Sequence, residues 1–275
     1  MSDQITATQR EVTAEEAERY RENGWAFLPG LVSPDVCEGV LKGLKKLMGT
    51  DGDRPPQMES EGRTGSFQPG GFFSDYTRPS ENDDFIRSLA HSPDSARNAQ
   101  RMLGRDVPIR FWIDLGACKL QEGRSAEIGG GSGPTAWHQD FEMPFDRTGA
   151  TCNFWLALGD MGPEMGTMRF MSRSHHEGAL GRMRGDKLFE TYPSLRDRYP
   201  VSDPLTYKTG DATIHHPLIL HSAPSNQTDR PRWAYIRVYM AGDTLYNGAK
   251  YRFTDSLGLE HLKPFDHPLF PQLYP

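Results

Sequence analysis

Residues 211–240 read DATIHHPLILHSAPSNQTDRPRWAYIRVYM, a strand, a turn and a second strand. Thr213–Ile219 and Trp233–Met240 are rich in β-branched and aromatic residues, and Pro224–Pro231 between them has turn composition. The turn predicts an antiparallel return that brings Arg232 near His221, the residue that closes the first strand. Alternation then sets the faces. Arg232 shares its side with Ala234, Ile236, Val238 and Met240, an apolar set that reads as interior. A guanidinium on such a face requires an anion, because an unpaired buried charge is expensive. Its planar fork suits a carboxylate held by two hydrogen bonds. The alternative is an internal salt bridge to an Asp or Glu. Arg237 falls on the opposite face and Arg230 in the turn, and both read as solvated or structural.

Working outward, Arg110–Leu120 and Thr151–Leu158 have the same β texture, interrupted only by a short helical pattern near Leu188–Arg196. The N-terminal part is different. Thr13 and Glu16 form a capping-box pattern for a helix through Arg21 that Asn23–Gly24 ends, and Trp25–Pro29 reads as a short strand. Ser33–Pro34 opens a second helix through Leu41, Leu44 and Leu47. Two more cover Asp83–Ala90 and Pro93–Leu103, the latter stopped by Gly104. Helices first and strands afterwards predict an α+β domain, mainly β, with a sheet or barrel backed by N-terminal helices. One domain is expected over residues 1–275: a helical part to 105, a β core over 106–245 and a C-terminal tail over 246–275. Residues 51–80, rich in Gly, Pro and Ser, read as a lid-like loop, and Gly129–Gly133 as a flexible hairpin connection.

Composition excludes several function classes. A net charge of −6 with no run of Lys/Arg gives no footprint for nucleic acid. No apolar run approaches the roughly 18 residues of a membrane span, and the polar N-terminus lacks the apolar core of a secretion signal. Three widely spaced cysteines, Cys37, Cys118 and Cys152, fit free thiols in a reducing interior and form no CxxC pair for zinc. A soluble, cytoplasmic protein with a small-molecule substrate is the expectation; assembly into a homodimer stays open.

Trp137-His138-Gln139-Asp140 is the most informative tetrapeptide. On a strand, residues two apart share a face, so the His138 imidazole and Asp140 carboxylate converge. They make two-thirds of a facial triad, in which two histidines and one carboxylate leave three metal positions open. Structural zinc sites, by contrast, are closed by four ligands. Downstream, His175, His176, His215, His216, His221, His261 and His267 compete for the third place. His221 is favoured because it ends an apolar strand just before a turn.

WHQD with the strand NFWLAL, the segment MGTMRFMSRSH, and HPLILHSAPSNQTDRPRWA together resemble the phytanoyl-CoA dioxygenase family of iron(II)/2-oxoglutarate oxygenases. The opening VTAEEAERYRENGWAFLPGLVSPD is similar as well, so the resemblance runs from about Val12 to about Met240. The spacing from His221 to Arg232 matches that family's distal histidine and co-substrate arginine. The resemblance implies a double-stranded β-helix, or jelly roll. It implies iron bound by His138, Asp140 and His221, and the far carboxylate of 2-oxoglutarate held by Arg232. It places Lys119 and Trp155 at the co-substrate pocket, with Ser222 as a further hydroxyl donor. A solvated Lys and a packed Trp are the competing readings. Two departures stand out: the family often has Asn-Gly where this chain has Met165-Gly166, and Pro-Gly-Ser-His where it has Ser172-Arg173-Ser174-His175.

The implied reaction uses O2 and 2-oxoglutarate to oxidise a C–H bond of a small organic molecule, releasing succinate and CO2. Hydroxylation is the default outcome. The intact carboxylate at Asp140 argues against halogenation, which in related enzymes needs that ligand replaced by Ala or Gly. Phe67, Phe72, Phe73, Phe141 and Met143 are candidates to line the pocket. A catalytically silent metal-binding jelly roll is the competing function, as is a zinc or manganese hydrolase or isomerase.

Overall fold

A computed structural model describes residues 7–52, 66–68, 73–124, 132–140 and 143–275, with 66–68 as backbone alone. Four helices precede the main strands: α1 (Ala14–Asn23), α2 (Pro34–Met48), α3 (Asp84–Ala90) and α4 (Pro93–Leu103). Their ends follow local chemistry. The capping box at Thr13 and Glu16 is formed in both directions, and Gly24 closes α1 in the left-handed region. Ser33 and Ser92 cap α2 and α4, each with Pro at the first helical position.

The strands form two antiparallel sheets. The larger runs β1 (Trp25–Leu28), β8 (Ala212–His215), β6 (Thr151–Ala157), β10 (Arg232–Ala241), β4 (Ile109–Lys119), β3 (Ser74–Thr77) and β2 (Ser66–Gln68), with β11 (Gln272–Tyr274) also on β4. The smaller has the order β5 (Thr135–His138), β9 (His221–Ala223) and β7 (Arg169–Phe170). The curled large sheet, opposed by the small one and backed by helices, is the expected jelly roll. The helices cover its outer face through one continuous core that joins Val36, Val40 and Leu44 of α2 to Phe111, Phe154 and Tyr239. Gly116 of β4 is where α2 comes closest: a Cβ there would lie 2.4 Å from Leu44 Cδ2.

Several expectations need correction. The Pro224–Pro231 turn does not fold a hairpin; β9 and β10 lie in different sheets, so the chain crosses the barrel between them. Strand β8 stops at His215, because Pro217 cannot donate to a ladder and the chain turns, with Ile219 N donating to His216 O at 3.0 Å. The helix expected near Leu188–Arg196 is two short ones, α5 (Asp186–Thr191) and α6 (Leu195–Arg198), with Pro193 between them. Of the two readings of Arg237, solvated or structural, the structural one applies. It is fully buried beneath the helices, donating to Gln9 Oε1 at 2.8 Å and Ser95 Oγ at 3.1 Å. Within the lid-like stretch, Ser74–Thr77 pairs with β4 and Ser66–Gln68 with β3. Phe72, Phe141, the Phe67 side chain and residues 129–131 of the glycine-rich connection lie outside the described residues. Residues 246–275 pack Tyr251, Phe253, Phe265 and Phe270 around Trp112 on the inner side of β4. No helix among the described residues is long and apolar enough to cross a membrane.

Candidate metal centre and co-substrate pocket

His138, Asp140 and His221 come together between the sheets, with one ligand atom from each lying within 4.8 Å of the others. The two histidines are cross-strand partners, His138 on β5 opposite His221 on β9. Asp140, expected two residues along the same strand, lies just beyond its end. Its backbone N donates to Pro217 O at 2.8 Å. Gln139 fixes this exit: Nε2 donates to Leu218 O at 2.7 Å, and Oε1 accepts from Leu180 N at 2.8 Å. The result is the convergence that alternation predicts, achieved by a pinned turn.

The donor set suits a divalent metal. His138 Nδ1 lies 2.7 Å from Ala136 O and His221 Nδ1 lies 3.1 Å from Ile219 O. A proton on each Nδ1 satisfies those carbonyls and leaves each Nε2 with a free lone pair, the arrangement typical of ligating histidines. Both Nε2 atoms face Asp140, at 3.3 Å from Oδ1 for His138 and 3.6 Å from Oδ2 for His221. Two ligands at right angles, each about 2.1 Å from a metal, stand about 3 Å apart. Burial, reinforced by His138, pushes the His221 imidazole down to about 3, so it stays neutral and able to ligate. Burial alone would raise the Asp140 carboxyl, but His221, His138 and His215 outweigh it and hold the group well below the usual carboxylate range.

Two residues that sequence reasoning did not assign complete the cluster. Asn153 on β6 and His215 on β8 are register partners. Asn153 Nδ2 donates to Asp140 Oδ2 at 3.1 Å, and His215 Nε2 lies 3.3 Å from the same oxygen. The signal for Asn153 was present: a lone amide in the apolar run TCNFWLAL, two residues from Trp155 and therefore on its face.

The co-substrate candidates lie beside this cluster. Arg232 and Lys119 are register partners on β10 and β4, both almost entirely buried. Arg232 Nη1 donates to Gly166 O, its guanidinium lies 5.4 Å from the Trp155 ring centre, and its Nε has no partner among the described residues. Lys119 Nζ donates to Pro224 O at 3.0 Å and Thr135 Oγ1 at 3.4 Å. No carboxylate forms an ion pair with either cation among the described residues, so neither the internal salt bridge nor the solvated lysine applies. Burial, and then the neighbouring Arg232, pushes the Lys119 ammonium down to about 7. Burial likewise lowers Arg232, to about 10. Gly166 is required where it stands: its φ is +70°, and a Cβ would fall 2.2 Å from Pro224 O. Arg173, where the family often has Gly, also has a left-handed φ, 71°.

A cavity of about 430 Å³ opens in front of these groups, within the range of small-molecule sites. Arg232, Trp155 and Ser222 line it, with Thr135 beside them; Lys119 is adjacent to Arg232 but is not among the lining residues. Phe73 and Met143 line it too. Tyr251, Arg252 and Phe253 from the C-terminal stretch and Arg184 before α5 complete the wall, with no signal in the sequence to mark them.

The sequence profile of the phytanoyl-CoA dioxygenase family (PhyH) matches residues 20–234. The chain is 22% identical to phytanoyl-CoA dioxygenase domain-containing protein 1 of Mus musculus, over 93% of this chain and 96% of that one. The Danio rerio protein of the same name is 20% identical, over 82% and 88%. Among solved structures, the epimerase SnoN in complex with Fe3+, alpha ketoglutarate and nogalamycin RO is similar at 25% identity, covering 94% of this chain and 97% of that one, with a TM-score of 0.75. The carbocyclase SnoK from nogalamycin biosynthesis has the same fold, with 21% identity, coverage of 96% and 99%, and a TM-score of 0.76. With its metal-ligand cluster, buried cation pair and jelly roll all in place, the chain belongs to the phytanoyl-CoA dioxygenase family.

Proposed function

We propose that this protein is an iron(II)- and 2-oxoglutarate-dependent oxygenase that oxidises a C–H bond of a small organic molecule, with hydroxylation as the default outcome. The carrying observation is the buried pair Arg232 and Lys119, two cations side by side with no acidic partner among the described residues, next to a three-residue metal-ligand set. Such a buried pair favours an anion opposite it. A dicarboxylate that also reaches the metal meets the requirement; a hydrolase needs no such clamp, and turnover separates the oxygenase from a silent binder.

Iron(II) with 2-oxoglutarate and O2 supplies, when bound, an oxidant able to take hydrogen from an unactivated carbon, with succinate and CO2 as co-products. The chain's own residues do the rest. His138, Asp140 and His221 would hold the metal, a facial set of the kind that leaves room for exchangeable ligands. Asn153 and His215 orient Asp140 by its Oδ2. Arg232 would bind the far carboxylate of the co-substrate, with Lys119 adding charge from its neighbouring position on β4, Thr135 and Ser222 as hydroxyl donors and Trp155 as the wall. Ile113, Leu115 and Val238 keep water from the reacting face.

Hydrogen removal is common to hydroxylation, ring closure and epimerisation. The solved relatives, an epimerase and a carbocyclase of nogalamycin biosynthesis, favour a natural-product substrate. A net charge of −6 gives no support to a nucleic-acid partner, and three buried free cysteines suit the cytoplasm. The deciding experiment is iron-dependent succinate formation from 2-oxoglutarate by the purified protein. Succinate that appears with iron(II) and O2 and vanishes with a chelator supports the reading. No succinate under any metal and substrate-screen condition would leave the silent jelly roll as the function.

A further inference from the structure

We propose that the substrate is an organic anion, an apolar or aromatic body carrying one acidic group that sits at the cavity rim beside Arg184 and Arg252. The inference rests on the oxygenase reading for treating this cavity as the substrate site, and it narrows the class of molecule that enters.

The cavity has two chemistries. Its walls are apolar, built from Ile113, Leu115 and Val238 of the large sheet and from Phe73, Tyr251 and Phe253 across from them. Among the described residues, its charged lining, apart from the metal cluster and His215 beside it, consists of three arginines: Arg232, Arg184 and Arg252. Arg232 is buried and committed to the co-substrate, whereas Arg184 and Arg252 are exposed and therefore stand at the rim. The whole chain carries −6, so two arginines at the described rim are not a reflection of average composition. Among the described residues, no acid other than Asp140 lines the cavity.

Arg184 is the stronger candidate. The next residue, Gly185, donates its backbone N–H to Trp137 O at 3.0 Å, and Trp137 directly precedes His138. The segment bearing Arg184 is thus tied to the strand that carries a metal ligand. No hydrogen bond or ion pair occupies the Arg184 side chain among the described residues. Arg252 is partly engaged: its guanidinium lies 4.4 Å from the Phe253 ring centre, and it acts electrostatically on Asp75 of β3. Burial pushes the Asp75 carboxyl up to about 6, with Arg252 opposing, so Arg252 shares its charge and ranks second. An apolar slot with a few placed polar groups reads out shape through its walls and orientation through its charges. An acidic group at the rim would fix which carbon of the body faces the metal.

The test uses two fluorescent probes with the same ring body: 8-anilinonaphthalene-1-sulfonate, an anion, and N-phenyl-1-naphthylamine, which is neutral. Each is titrated into the full-length protein loaded with Mn(II), a redox-silent substitute, and 2-oxoglutarate. Exposed ion pairs of this kind are worth up to about fivefold each. The sulfonate should therefore bind about five- to twentyfold more tightly than the neutral probe at low salt, and the gap should shrink as salt rises. Arg184→Gln should reduce the preference up to about fivefold, and the double variant with Arg252→Gln should abolish it while neutral-probe binding persists. Equal binding of both probes, no binding of the sulfonate, or full anion preference in the double variant would overturn the proposal. Succinate formation by the unsubstituted iron protein is measured in parallel. Its absence removes the oxygenase reading, whereas its presence with equal probe affinities removes the anion inference alone.

Discussion

Lys119 offers a quantitative handle on the proposed co-substrate pocket. Its ammonium is buried beside Arg232 and pushed down to about 7, so near neutral pH it is only partly charged in the free protein. A dicarboxylate bound at Arg232 favours the charged form, so binding draws a proton onto Lys119 from solvent. The direction follows: affinity is greatest at low pH, where the ammonium is already formed, and weakens as pH rises through 7. If the complex requires the charged lysine, the dissociation constant of 2-oxoglutarate should rise about tenfold between pH 6 and pH 8, one pH unit above 7 being worth about 1.4 kcal/mol. The assay is anaerobic titration of the iron(II) protein with 2-oxoglutarate, followed by its charge-transfer absorbance. Calorimetry in buffers of different ionisation enthalpy counts the proton. Lys119→Met should bind more weakly at pH 6 and lose the pH dependence assigned to this residue. A wild-type affinity that is flat from pH 6 to 8, or a slope that survives in Lys119→Met, would refute the reasoning.

Arg232→Ala should raise the KM for 2-oxoglutarate by a factor corresponding to about 2–5 kcal/mol while leaving iron content near normal, and Arg230→Ala, on the exposed turn, should change little. Alanine at His138, Asp140 or His221 should abolish iron retention and turnover, since two protein ligands hold a labile ion poorly; an active His221→Ala beside an iron-free His216→Ala would reverse the choice of distal ligand. Asp114 is buried, and burial pushes its carboxyl up to about 6 against the pull of Tyr235, Ser80 and Arg78. Its native form therefore prefers the proton, and its contribution to stability is lost as pH rises from about 4 to about 6, by about 3 kcal/mol. Denaturant midpoints of the metal-free protein should show that loss relative to Asp114→Asn, and parallel curves for the two proteins would contradict it. With Asp140 intact, turnover in saturating chloride should give no halogenated major product by mass spectrometry.

Much of the site was legible in the sequence because its signals are local. Caps at Thr13, Ser33 and Ser92 set helix starts by chemistry within a few residues. Alternation along Arg232–Val238 put the arginine on the cavity side, and Arg232, Ile236 and Val238 do line it. What stayed hidden depends on which strands meet. Nothing local says that β9 joins β5 and not β10, or that Lys119 lies opposite Arg232 under complete cover. Asn153 and His215 become partners of Asp140 only once β6 and β8 are neighbours. The YRF of Tyr251–Phe253 gains meaning only when the chain end folds back over the barrel mouth.

The placement of the metal ligands has a mechanical consequence. His138 and His221 belong to the small sheet, while the residues gripping Asp140 belong to the large one. The small sheet has three strands of four, three and two residues, too slight to persist alone. An ion bound there is a clasp across the barrel, and its binding energy becomes folding energy for that flap. Chelation should then loosen β5, β9 and β7 before the helix-backed sheet feels it. Amide exchange would show the small sheet opening as a separate unit in the iron-free protein and closing again on reloading. The same ion that serves oxidation would thus keep the jelly roll shut.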